Sequence, residues 1–215
     1  MEKKGTTYGP IEVKPGMVRE AVPAYKRKKQ QGEFTIEDYY ALPDDMRAEL
    51  IDGVIYNMAA PTSIHQDISA EIFWQLKAYI REKNGKCRVY AAPFDVQLDQ
   101  DDRTMVEPDL LIACNRDLIK KHVYYGAPNF VVEILSPSTR KKDTWLKLQK
   151  YRNAGVREYW IVDLDNKTVT VYDFEHGGVT SQYGFEDQVP VNIYHGECVV
   201  DFADIYEQIR FLYES

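Results

Sequence analysis

Cysteine is scarce in this chain of 215 residues, and the three present, Cys87, Cys114 and Cys198, are widely spaced. Their odd number and separation point to neither a disulfide framework nor a CxxC zinc site. No apolar run approaches the ~18 residues needed for a membrane-spanning helix, and the N-terminus lacks the apolar stretch of a signal peptide. These absences predict a cytoplasmic protein without a membrane partner. The four histidines, His65, His122, His176 and His195, form no HExxH or similar cluster. The chain has no Gly-rich phosphate loop and no GxSxG elbow. The acidic run Asp99 to Asp102 lacks the glycine and terminal glutamate of a calcium loop. Zinc hydrolysis, P-loop chemistry and serine-esterase chemistry are thereby set aside.

The chain has enough apolar sequence for a core, since 44% of its residues are hydrophobic. Sixteen tyrosines suit half-buried sheet positions as well as interfaces. The net charge of −7 conceals an asymmetry. Residues 1–32 hold eight Lys/Arg against three Glu, so the remaining residues carry a net −12. Residues 1–32 read as a flexible basic arm, with Lys26 to Gly32 its most polar stretch, and residues 33–215 as a single domain. An acidic chain is no general nucleic-acid coater, but screening over ~8 Å lets local basic patches act on a polyanion.

Periodicity supplies the elements. Thr35 reads as the N-cap of a short helix that ends near Leu42-Pro43. Arg47 to Ala59 alternates as a hairpin about Asp52-Gly53, with Glu49 on its first strand. Ser63 reads as the cap of a long helix to about Lys83, carrying Ile64, Ile68, Ile72, Leu76 and Ile80 on one stripe and stopped by Asn84-Gly85. Lys86 to Leu98 reads as one strand, Pro108 to Ala113 as another, and residues 115–129 as irregular. Phe130 to Leu135 is a strand that closes on Ser136-Pro137-Ser138-Thr139. A helix from about Lys142 to Ala154 follows, with Gly155 as its stop. Arg157 to Asp163 and Val169 to Phe174 form a second hairpin. A helix between two apolar strands predicts an α/β fold with a crossover helix.

Two carboxylates lie inside apolar, β-branched runs: Asp109 in Glu107-Pro108-Asp109-Leu110-Leu111-Ile112, and Glu133 in Phe130-Val131-Val132-Glu133-Ile134-Leu135. Burial there costs several kcal/mol unless a cation or donor meets them. Alternation puts Val131, Glu133 and Leu135 on one face of the strand and Phe130, Val132 and Ile134 on the other. No lysine stands two residues beyond Glu133, but Lys147 lies on the next helix, one turn after Asp143 and one turn before Tyr151. Taken alone, Asp143 and Lys147 read as a surface i,i+4 pair contributing about 0.3 kcal/mol. Beside Asp109 and Glu133, Lys147 reads instead as a cation that reaches a nucleophilic water or a phosphate. Hard carboxylate oxygens with a nearby ammonium suit Mg²⁺- or Mn²⁺-dependent phosphodiester hydrolysis. His65-Gln66 at a helix start suits a substrate contact or a packing role equally. An Asp/Glu pair also serves glycosidases, but nothing else in the chain suggests a sugar cleft.

The ordered series Glu49-Leu50-Ile51-Asp52-Gly53, Pro61 to His65-Gln66, Glu107-Pro108-Asp109, Val132 to Thr139, Asp143 to Lys147 with Tyr151, and Gly155-Val156-Arg157-Glu158-Tyr159-Trp160 resembles the Uma-two family. That family is a bacterial branch of the PD-(D/E)XK restriction-endonuclease-like superfamily, and the resemblance covers about residues 34–175. It implies a mixed β-sheet flanked by helices and a metal-dependent endonuclease acting on DNA. Asp109 and Glu133 would be metal ligands for Mg²⁺ or Mn²⁺, and Glu49 a further acid of the catalytic group. Leu135 occupies the position of the superfamily lysine, and the resemblance moves that lysine to Lys147. His65, Gln66 and Lys142 are the expected substrate contacts, and a homodimer is the expected assembly for cutting two strands. The rival reading is a catalytically silent nucleic-acid-binding or assembly module on the same fold.

Overall fold

A computed structural model describes residues 29–43, 45–98, 100–137 and 140–214. Nearly all of the basic arm expected over residues 1–32 lies outside the described residues, as do Asp99, Ser138 and Thr139.

The first helix or strand among the described residues is helix α1, Ile36–Tyr40. Thr35 caps it, and the Asp38 carboxylate reaches back to the Thr35 backbone to close a capping box. Strands β1 (Ala48–Ile51) and β2 (Val54–Asn57) form the expected hairpin. Asp52 and Gly53 both take positive φ, +51° and +77°, the conformation an Asp-Gly turn favours. Helix α2, Ser63–Glu82, buries Ile68, Ile72, Leu76 and Ile80, while Thr62 rather than Ser63 caps it.

The expected strand over residues 86–98 is instead two. Strand β3 (Arg88–Ala91) joins the central sheet, and β4 (Asp95–Gln97) pairs with β6 (Val123–Tyr125) in a separate parallel ribbon. Pro93 lies between them, and a proline cannot donate to a ladder. Strand β5 is Leu110–Ala113, and β7 is Phe130–Ile134. After β7 the chain crosses over through a π-helical segment, Lys142–Lys147, which runs into helix α3, Leu148–Ala154, and ends at Gly155 with φ +96°. Strands β8 (Glu158–Asp163), β9 (Thr168–Asp173) and β10 (Val179–Gly184) follow. The ribbon of β11 (Gln188–Val191) and β12 (Cys198–Asp201) then leads into α4, Phe202–Ile209.

The central sheet has the order β10-β9-β8-β7-β5-β3. Only β7 and β8 are parallel within it, as their helical crossover requires. This is a mixed sheet flanked by helices. Its two faces carry two cores. On one, Leu110, Ile112, Phe130, Val132, Ile134 and Trp160 pack with α2 and α4. On the other, Leu111, Val131, Leu135, Tyr159 and Ile161 pack with Tyr151 and Val156. The alternation expected for residues 130–135 is therefore the one observed.

The cysteines depart from expectation, because Cys87 and Cys114 are joined as a disulfide while Cys198 stays buried and free. Strands β3 and β5 run antiparallel with Arg88 opposite Ala113, which sets Cys87 against Cys114. Their 27-residue separation carries no hint of this until the register is known. Among the described residues no helix is long and apolar enough to cross a membrane.

Candidate active site

Extending the β5–β7 register by one residue beyond Leu110 opposite Val132 sets Asp109 opposite Glu133. Both open onto a cleft of about 1100 Å³ that is also lined by Glu49, His65, Gln66, Lys142, Asp143 and Lys147. Glu49, His65, Gln66, Asp109, Glu133, Lys142 and Lys147, the candidate site residues of the sequence, thus all line one cavity.

Glu49 arrives from β1, fully buried, and Glu107 donates its backbone N–H to Oε1 at 3.1 Å. Lys147 Nζ lies 2.7 Å from the same Oε1, and Lys142 pairs with Oε2. The π register explains how one carboxylate holds two lysines five residues apart. In an α-helix such side chains diverge by roughly 140°, whereas a π turn stacks i over i+5. A plain helix was expected here, and nothing in residue type or spacing marks the π turn.

Lys147 is 1% exposed, so the reading of a surface pair with Asp143, itself 2% exposed, does not hold. Its ammonium pairs with Glu133 as well as Glu49 and lies 3.8 Å from Asp143. Tyr151, one turn further, donates its hydroxyl to Glu133 Oε1 at 2.6 Å. Tyr159 donates to the Asp143 carbonyl at 3.1 Å and ties the π turn to β8. Asp109 accepts the Ile134 N–H at 2.7 Å and lies 3.2 Å from His65 Nε2. His65 sits in the first turn of α2, where its burial opposes charge but the bond and charge of Asp109 win, raising its proton affinity. Gln66 is exposed at the mouth of the cleft.

The buried groups divide by environment. Burial pushes the Glu133 carboxyl well up, Lys147 opposes this, and the charges of Asp143, Asp109 and Glu49 add to it. Glu49 suffers the same burial, but Lys147 and Lys142 outweigh it and hold the carboxyl below its ordinary range. Lys147 is desolvated too, yet Glu133, Glu49 and Asp143 keep it firmly protonated. The two carboxyls that share Lys147 are thus pushed in opposite directions, Glu49 toward lower and Glu133 toward higher proton affinity.

Among the described residues no group of three or more His, Cys, Asp and Glu side chains forms a ready-made metal cage. The donor chemistry suits a different kind of cation. Mg²⁺ keeps several waters and is held through one or two carboxylates plus substrate phosphate, which the hard oxygens of Asp109 and Glu133 on one cleft can supply. The sequence places Tyr151 one turn beyond Lys147 and Tyr159 within the family-like run, but assigns neither a role and does not show the Glu49 clamp. The i,i+4 step from Lys147 to Tyr151 was the available signal for the first; the clamp spans 98 residues and left none.

Comparisons with known proteins agree with this architecture. Residues 36–196 match the model of the Uma2 family, described as "Putative restriction endonuclease". An uncharacterized protein of Synechocystis sp. is 26% identical over 125 residues, an alignment spanning 58% of this chain and 64% of that protein. The crystal structure of a "putative nuclease belonging to DUF820" from Anabaena variabilis superposes with a TM-score of 0.68 at 20% identity. That likeness covers 81% of this chain and 98% of the other, and at such identity it establishes a shared fold.

Proposed function

The chain belongs to the Uma2 family, and from that premise we propose that it hydrolyses phosphodiester bonds of DNA in a divalent-metal-dependent reaction. The observation that carries the proposal is the Lys147 ammonium, buried between Glu133 and Glu49 on the cleft that Asp109 also lines. In this reading Asp109 and Glu133 hold Mg²⁺ or Mn²⁺, which when bound supplies an activated water and neutralises phosphate charge. The residues of the chain do the rest. Lys147, fixed by carboxylates on two strands, presents a preorganised positive charge to the reacting phosphate. Tyr151 fixes the orientation of Glu133 through its hydroxyl, and Glu49 fixes Lys147 and Lys142 together. Lys142 pairs with a carboxylate at the cleft and in this reading exchanges that partner for a substrate phosphate, while His65 and Gln66 line the approach.

The test uses supercoiled plasmid and a circular single strand, incubated with Mg²⁺ or Mn²⁺ and compared with EDTA. Cleavage with metal and none with EDTA is expected. Glu133→Gln should lose metal affinity and cleavage together. Lys147→Ala should lose on the order of 10²-fold in kcat with metal binding nearly intact. Cleavage by Lys147→Ala at the wild-type rate would remove the lysine from the mechanism. Binding without cleavage by the wild-type protein would leave a silent nucleic-acid-binding module.

A further inference from the structure

The carboxylate–lysine cluster occupies only part of the cleft. Much of the remaining wall is apolar, built from Met58, Ile64, Phe73, Pro93, Leu212 and Tyr213. These come from the β2–α2 connection, α2, the turn between β3 and β4, and the 3₁₀ turn Arg210–Tyr213 after α4. The wall is braced. The Tyr213 hydroxyl donates to the Leu164 carbonyl at 3.1 Å, and Lys167 Nζ sits 4.5 Å from its ring centre. Lys77 Nζ lies 4.8 Å from the ring centre of Phe73 and adds positive charge beside it. On α2 the intervening positions Ser69 and Ala70 are small, which keeps the space beside Phe73 open.

Hydrolysis of a phosphodiester needs the charged cluster but has no use for this wall. A cleft of about 1100 Å³ also exceeds what a phosphate and its metal fill, since pockets of roughly 300–1,000 Å³ take whole drug-sized ligands. The chemical nature of nucleic acid then decides what lies there. An intact duplex presents phosphates and sugars outward and keeps its base faces stacked inside. A single strand exposes those faces, and aromatic and apolar side chains cover them. Depth argues the same way. Glu133 is 4% exposed and Lys147 1%, so a strand must enter the cleft to bring its phosphate to them.

We propose that this apolar wall is a base-binding subsite, and that the strand reaching the carboxylates is single-stranded DNA, or duplex unpaired at the point of cleavage. The inference rests on the nuclease reading for its ligand, but its test does not need turnover. Fluorescence anisotropy in EDTA would compare three labelled probes of equal length: a single strand, the blunt duplex of the same sequence, and the single strand with a central run of abasic sites. The single strand should bind on the order of 10-fold or more tightly than either other probe, the scale of a lost base–aromatic stack. Phe73→Ala should bring the single strand down to the abasic level, whereas Phe73→Tyr, which keeps a ring, should not. Equal binding of single strand and duplex, equal binding of normal and abasic strands, or binding of none of the probes would overturn the proposal. The two readings fail separately. Base-dependent binding with no cleavage under Mg²⁺ or Mn²⁺ removes the nuclease and keeps the subsite, while efficient cutting of duplex without strand preference does the reverse.

Discussion

Two buried glutamates sit on neighbouring parallel strands, Glu133 on β7 and Glu158 on β8, and they have different fates. Both are nearly or fully sequestered, and burial pushes both carboxyls above their ordinary range. Glu158 accepts from the Trp160 indole N–H at 2.7 Å and the Ile193 backbone N–H at 2.9 Å. Those donors are fixed by the fold, and Glu158 does not line the cleft. Glu133 instead meets a lysine ammonium and a tyrosine hydroxyl, with other carboxylates near enough to raise its proton affinity, and it faces the cavity. A buried acid is thus no mark of a site in itself. What separates the two is whether their partners are neutral and rigid or charged and shared.

The contrast is sharpest where each acid is removed. Glu158→Ala strands two buried N–H donors, at about 1–3 kcal/mol each, so the variant should lose roughly 2–6 kcal/mol of stability. Cleavage per folded molecule should stay near the wild-type value. Glu133→Gln should show the reverse signature, with cleavage collapsing while the fold survives. Chemical denaturation and a cleavage assay on the same preparations check both. If Glu158→Ala loses cleavage as deeply as Glu133→Gln at temperatures where it is folded, the distinction between a structural acid and a site acid is wrong.

Proton linkage sharpens the comparison within the site. The Glu49 carboxyl is held below its ordinary value of 4.5, so its stabilisation is present above that pH and is lost as pH falls through the lowered value. Replacing it by Gln leaves two lysines short of a partner, and breaking a buried pair costs about 3–5 kcal/mol. That deficit, seen near neutral pH, should shrink below pH 4.5. The Glu133 carboxyl is raised above 4.5, so the native state binds the extra proton and wild-type stability falls as pH climbs above that value. Glu133→Gln escapes the penalty, and its stability should gain on wild type as pH rises. Chemical denaturation followed across about pH 2 to 8 would read both, the Glu49 effect at the acid end and the Glu133 effect above pH 4.5. Parallel curves for the two variants would mean that the two acids do not divide the charge as described.

The same residues show how much of this was legible in the sequence. The alternation of residues 130–135 was readable because opposite faces of the strand enter two different cores, and the Asp52-Gly53 turn because few dipeptides accept two positive φ angles. Asp109, Glu133 and Lys147 could be grouped from residue type and spacing, because carboxylates inside apolar strands need a cation nearby, whereas Glu49 joined them only through a resemblance. The spacing of Asp143 and Lys147 alone reads as a surface pair, and only the two strand carboxylates turn Lys147 inward. What stayed hidden depends on long-range register. The clamp of Glu49 on Lys142 and Lys147, the splitting of residues 86–98 between two sheets and the Cys87–Cys114 pair follow from how distant strands align. Local periodicity does not encode that alignment.

Asp143 gives the smallest and most discriminating test of whether the site's acids are equivalent. It is as buried as Glu133, but its Oδ1 lies 3.8 Å from Lys147 Nζ, beyond a good hydrogen bond. Its effect on Lys147 is therefore mainly Coulombic, and the ammonium keeps Glu49 and Glu133 when Asp143 is neutralised. Asp143→Asn should cost only about 1 kcal/mol of stability, because an uncharged side chain of the same shape leaves no cation unpartnered. Cleavage should fall less than about 10-fold, well short of the loss expected for Lys147→Ala. Single-turnover rates at saturating metal make the comparison. A loss on the order of 10²-fold would place Asp143 among the groups that position the reacting phosphate, and the division between clamp and site would have to be redrawn to include the π turn itself.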